Sequence, residues 1–258
     1  MHVLALAAPS ESRDAAAATL RDALAEAGRV GVVTAGSLET PDHDTYTVDG
    51  AAWRGSGSGG GLTDALDRLA RDHDYALLVG FPDTRFPTVS VGADTDVDDP
   101  LVDADALDDL DPASVVDALD DTEPLETLDS LVADLKRHPD AEYAGAVATF
   151  TGRVRAKEGP DDDPTTELTF EKYAGVAADR LDAIRDDLTD REGVIEVAFH
   201  HRVGPIPYGD DIVYVAVLAA HRREAFRAVE DGIDRLKGEV PIFKKEVTVG
   251  DEFWVHDR

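Results

Sequence analysis

Nine consecutive apolar residues, 212–220 (IVYVAVLAA), form the longest such run in a 258-residue chain whose formal net charge is -30. A helix needs about 20 apolar residues to cross a bilayer, so this run has the length of a buried β-strand. Four further strand-like segments share its half of the chain, at 145–154, 167–171, 194–202 and 243–249, with helical periodicity over 174–188 and 221–236. That pattern predicts an α+β domain. In residues 1–91, strands at 3–7, 30–33, 75–79 and 88–91 alternate with helices at 15–27 and 63–69, which predicts an open α/β sheet.

Charge divides the chain further. Residues 1–91 carry 7 basic and 13 acidic side chains, 92–142 carry 2 and 18, and 143–258 carry 16 and 24. The middle stretch reads as a solvated connector holding one or two short helices, and its carboxylates lack the loop spacing of a calcium site. The expected division is an α/β domain over 1–92, an acidic linker over 93–124 and an α+β domain over 125–258. A carboxylate excess of this size suits a salt-rich, halophilic cytoplasm. It also leaves no dispersed cationic surface for a phosphate backbone, so no nucleic-acid partner is expected. With no cysteine in the chain, disulfides, thiolate metal sites and a cysteine nucleophile are excluded. Any sulfur chemistry must then bring its sulfur from elsewhere, and neither a metal nor a resident cofactor is expected. The segment MHVLALAAPSES lacks a basic n-region and reads as a first strand, so a cytoplasmic location with no membrane partner is expected.

The loop after the first strand is where a phosphate-binding loop would sit in an α/β nucleotide-binding domain. Strand, turn and strand at 75–92 (YALLVGFPDTRFPTVSVG), and the order of elements before them, resemble the GTP-binding adaptor protein of molybdenum cofactor biosynthesis, which implies an α/β P-loop-NTPase-like domain. The G-x-x-x-x-G-K-[ST] of such a loop works because glycines let N–H groups wrap phosphates while a lysine reaches the outer ones. Residues 7–14 read AAPSESRD instead, so a degenerate fold without nucleotide hydrolysis is expected. The glycine-rich run at 55–61 precedes no lysine and reads as a flexible loop.

Positive charge is concentrated elsewhere. Three of the six lysines, Lys237, Lys244 and Lys245, lie within LKGEVPIFKK. Clustered ammonium groups in so acidic a chain imply a bound anion. Lys237 ends a helix, where the dipole alone would favour it. Beyond Pro241, strand alternation sends Lys244 and Lys245 to opposite faces, with Lys245 toward solvent. Lys237 and Lys244 converging across the bend would lower each other's pKa and make an amine usable as nucleophile or proton carrier. His221, Arg222 and Arg223 open the helix, at the end where cations are unfavourable unless an anion sits among them or Glu224 pairs with them. Arg153, Arg155 and Lys157, two residues apart, share one face of an extended strand and either converge on a ligand or form a solvated edge.

GAVATFTGRVR (145–155), FEKY (170–173), HHRVGPIPYGDDIVYVAVLAAHRREAF (200–226), DRLKGEVPIFKKE (234–246) and FWV (253–255) resemble, in order, the large catalytic subunit of molybdopterin synthase. The resemblance implies an α/β-hammerhead-like domain that converts cyclic pyranopterin monophosphate to the dithiolene of molybdopterin. Sulfur would come from the C-terminal Gly-Gly thiocarboxylate of a small ubiquitin-like carrier, and a homodimer would form the core of a heterotetramer. It implies Lys237 and Lys244 as catalytic residues, and Arg153, Arg155, His221 and Arg222 as substrate-binding ones. Phe243 stands where that family usually has tryptophan. The alternatives are a non-catalytic adaptor that binds the carrier and, from the N-terminal resemblance alone, a GTPase.

Overall fold

The computed structural model describes residues 1–36, 45–50, 52–56, 61–81, 84–92, 97–157, 159–248 and 252–255. Residues 57–60 of the glycine-rich run lie outside the described residues. The chain forms two compact units, Met1–Glu126 and Thr127–Arg258.

The N-terminal unit contains β1 (His2–Ala7), α1 (Arg13–Ala27), β2 (Val30–Thr34), β3 (Thr45–Asp49), β4 (Ala52–Ser56), α2 (Leu62–Leu69), β5 (Tyr75–Val79), β6 (Thr88–Val91), β7 (Val102–Ala104) and α3 (Pro112–Asp120). Five strands form one sheet in the order β2-β5-β1-β6-β7, every pair parallel. Parallel strands are covered on both faces, which is why β1 and β5 are nearly all apolar. Leu4, Leu6 and Leu77 face one core with Leu20 and Leu24 of α1, while Val3, Ala5 and Leu78 face another with Leu66 of α2. β3 and β4 pair as a separate antiparallel hairpin.

One expectation is corrected in this unit. Residues 97–124 are not a linker. β7 extends the parallel sheet, and α3 starts at an Asp111 cap, with Pro112 in its first turn, and buries Val115 and Leu119 against the α1 core. The acidic residues cover the outer surface of an element whose apolar positions recur at i and i+4. The turn after β1 satisfies its N–H groups internally. The N–H groups of Ser12 and Arg13 both donate to the Pro9 carbonyl, at 3.1 and 2.9 Å. Arg13 Nε and Nη2 donate to the Ala8 carbonyl at 3.3 and 3.1 Å, so the turn folds on itself.

The C-terminal unit runs α4 (Leu128–Arg137), β8 (Ala146–Arg153), β9 (Thr165–Lys172), α5 (Ala174–Thr189), β10 (Val194–His201), β11 (Gly204–Pro207), β12 (Asp211–Ala219), α6 (Arg222–Glu239), β13 (Ile242–Thr248) and β14 (Glu252–Val255). Two antiparallel sheets result, β10-β12-β8 and β11-β9-β13-β14. The apolar run is central β12, and both of its faces are covered. Val213, Val215 and Val217 pack with α5 and α6, and Tyr214, Ala216 and Leu218 with α4. α6 approaches this sheet through Gly232, where an added Cβ would stand 3.3 Å from both Phe199 and Val215.

Leu119 is fully buried, so Leu119→Ala should destabilise the N-terminal unit by about 2–5 kcal/mol. Urea unfolding followed by circular dichroism checks this, and a solvated connector would show no change.

Candidate active site

Both sheets of the C-terminal unit and the last turn of α6 line a cavity of about 570 Å³. One wall is apolar and buried, with Phe170, Val213, Ile233 and Leu236. The rim is cationic, with exposed Arg153, Arg155, Lys157 and Lys237 and half-buried Lys244. Lys157 and Lys237 have no carboxylate partner among the described residues. In a chain with 55 acidic side chains, leaving two ammonium groups uncompensated beside three further cations creates a local site for an anion. A second hollow of about 690 Å³ lies against α4, α5 and β10, and its carboxylates Asp134, Asp182 and Glu196 are each paired, with Arg137, Arg185 and His138.

Each cation arrives by a separate local device. β8 ends at Arg153, so Arg155 and Lys157 reach the cavity from the segment after the strand and not from its continuing face. Val154 turns inward, held by hydrogen bonds from its N–H to the Asp210 carbonyl and from the Gly209 N–H to its own carbonyl, at 2.9 and 3.0 Å. Arg153 also lines the cavity, but its Nε and Nη2 donate to the Gly209 carbonyl at 3.1 and 2.6 Å, and Asp211 lies 3.6 Å away. Its fork braces the turn between β11 and β12. Lys237 sits in the last turn of α6, where Arg235 joins Glu239 at 2.7 Å and Asp187 of α5 at 3.0 Å. The Arg235 hydrogen bond also holds the Glu239 carboxyl below its ordinary value. Past Pro241, β13 turns Ile242, Lys244 and Glu246 to the cavity, and Lys245 does not line it. Lys244 is paired in register with Phe170 of β9.

His221 and Arg222 are not brought to this cavity within one chain. They are exposed at the opposite end of α6, roughly 22 Å from Lys237 at 1.5 Å per residue. Glu224 does not neutralise them, since its Oε2 is buried without a hydrogen-bond partner among the described residues.

Sequence reasoning did not single out two cavity residues. Glu246 accepts a short hydrogen bond from the Thr165 hydroxyl. His201 is buried at the end of β10, its Nδ1–H donating to the Arg202 carbonyl at 2.7 Å and its ring edge-on to Phe170 with centroids 4.9 Å apart. Burial pushes the His201 pKa down to about 4; the Arg202 carbonyl opposes that fall and Lys172 adds to it. The available signal was strand alternation, since His201 lies in phase with inward-facing Val197 and Phe199.

A chain named probable molybdopterin synthase from Haloferax volcanii is 51% identical over 268 residues, covering all of this chain and all of that one. The chain belongs to the molybdopterin synthase family. The family model described as MoaE protein matches residues 121–239. The molybdopterin synthase catalytic subunit of Yersinia pestis is 44% identical over 115 residues, which is 44% of this chain and 74% of that one. A crystal structure of the molybdopterin synthase of Staphylococcus aureus is 37% identical and covers 45% of this chain and 83% of that one, with a TM-score of 0.42. The match to the Haloferax synthase runs through both units, so the N-terminal unit is shared with that family member.

The neutral His201 makes a pH-dependent contribution to stability. Its folded pKa of about 4 lies below the unfolded value of 6.5, so between these values the unfolded chain binds the extra proton. The contribution is complete above pH 6.5 and is lost as pH falls toward 4, by on the order of 3 kcal/mol. His201→Gln should remove it. Urea unfolding at pH 7 and pH 4.5 should show the unaltered chain losing more stability than the variant.

Proposed function

We propose that this protein is a sulfurtransferase of molybdenum cofactor biosynthesis. It would pass sulfur from the thiocarboxylate of a small carrier to cyclic pyranopterin monophosphate, making the molybdopterin dithiolene. The observation that carries this reading is the cavity itself, an apolar wall beside five cations, of which Lys157 and Lys237 have no carboxylate partner among the described residues. Its volume falls in the range of small-molecule sites. Arg155 and Lys157 suit the phosphate, with the arginine fork matched to its oxygens. Lys237 and Lys244 suit the reacting end, as proton carriers at the carbons that accept sulfur or as transient holders of the carrier's acyl group. A scaffold that only bound the carrier would need no cavity of this kind, which favours the enzyme over the adaptor.

His221 and Arg222 fit this function through a second copy. In a two-fold dimer whose interface includes this end of α6, each chain would present it to the other, and Phe226, exposed one turn after Arg222, would supply an apolar contact. The dimer would place these cations over the partner's cavity, with one carrier on each outer side. The N-terminal unit reads as a P-loop-type α/β domain that has lost its phosphate loop and serves in structure or docking. A cytoplasmic site of action completes the proposal.

Assays with thiocarboxylated carrier and cyclic pyranopterin monophosphate in high salt test this. Lys237→Ala and Lys244→Ala should each abolish dithiolene formation with the fold intact, and full activity in both would end the assignment. Arg222→Ala should chiefly raise KM. At substrate concentrations too low for the Arg222→Ala chain to turn over, co-expression of Lys237→Ala with Arg222→Ala chains should restore roughly a quarter of the full activity, because half of randomly paired dimers hold one intact site of two. Recovery no greater than the two variants give alone would put His221 and Arg222 outside the site.

A further inference from the structure

The cavity has two chemically different linings. The exposed cations of Arg155, Lys157 and Lys237 suit a phosphate. Phe170, Ile233 and Leu236 are buried and suit the face of a flat heterocycle. A fused nitrogen heterocycle also carries ring and amino N–H groups, and in a water-poor wall these need acceptors. His201 lies in that wall with its ring against Phe170. Its Nδ1 is committed as a donor to the Arg202 carbonyl at 2.7 Å, so in the neutral ring Nε2 is the lone-pair acceptor. We propose that His201 is the residue that orients the substrate, accepting a hydrogen bond at Nε2 from an N–H of the heterocycle while the rim cations hold the phosphate. This rests on the sulfur-transfer reading and adds to it the direction in which the substrate lies.

The low pKa of His201, about 4, keeps the ring neutral across the working pH range. A protonated ring would offer a second donor and turn the heterocycle's N–H away. The Arg202 carbonyl fixes the tautomer, and the edge contact with Phe170 fixes the ring plane. Phe170 is the register partner of Lys244, so the orienting imidazole and the reacting amine are referenced to the same rung of the sheet.

The test uses the full chain with thiocarboxylated carrier, varying cyclic pyranopterin monophosphate. His201→Asn retains a donor near the Nδ1 position and loses the acceptor at Nε2, while His201→Gln extends an amide to the Nε2 position. The asparagine variant should raise KM by roughly ten-fold or more, as expected for an unmade buried hydrogen bond, with kcat changed less. The glutamine variant should recover much of that loss. Inhibition by inorganic phosphate, which occupies only the rim, should be unchanged in both. An unchanged KM in the asparagine variant, or phosphate inhibition weakening in step with KM, would overturn the role given to His201. No dithiolene from the unaltered chain would overturn the sulfur-transfer reading and this inference with it. Should the variants not fold, nitrogen NMR of the unaltered chain decides. The Nε2 resonance of His201 should shift on adding the pterin phosphate and stay in place with inorganic phosphate, and the same response to both would contradict the proposal.

Discussion

Like charges brought together repel, and the structure of the C-terminal unit depends on holding several of them in one place. Arg155, Lys157, Lys237 and Lys244 come from a loop, a helix end and a strand, and the elements that carry them are anchored by apolar packing. Ile233 and Leu236 seat the last turns of α6, Val154 fixes the start of the loop, and the β9–β13 ladder fixes Lys244. The core thus supplies the free energy that keeps unscreened cations adjacent, and a bound anion returns part of it. Such a site is weak as a structural element and strong as a binding one.

Salt sharpens the argument. At 1 M ionic strength the Debye length is about 3 Å, so at such salt the net charge of -30 neither repels nor steers an anion at a distance. Binding then depends on direct contact at the cavity, where exposed guanidinium and ammonium groups meet the half-buried Lys244. The acidic exterior and the cationic cavity are therefore compatible.

Much of this was legible in the sequence, for local reasons. The run that became β12 could only be a strand buried on both faces, and the bend at Pro241 forced Lys237 and Lys244 toward a common region. What was not legible depended on partners far along the chain. Counting charges hid Val115 and Leu119, whose burial against α1 made a presumed connector part of the first unit. Arg153 looked equivalent to Arg155 until the Gly209 carbonyl, 56 residues away, engaged its fork. Glu246 is one carboxylate among 55, and nothing nearby marks it as the one that Thr165 holds. His201 is distinguished by its surroundings, Phe170 and a main-chain carbonyl, and not by its spacing. The separation of His221 from Lys237 followed from helix length alone and was available from the outset, but the resemblance placed them in one site.

The most direct test is a crystal structure of the full chain with cyclic pyranopterin monophosphate bound, solved from crystals grown at high salt. The account predicts one ligand in each C-terminal unit, its phosphate on Arg155 and Lys157 and its ring against the wall formed by Phe170 and Leu236, with Lys237 and Lys244 at the carbons that receive sulfur. A ligand bound outside this cavity, or on the N-terminal unit, would contradict it.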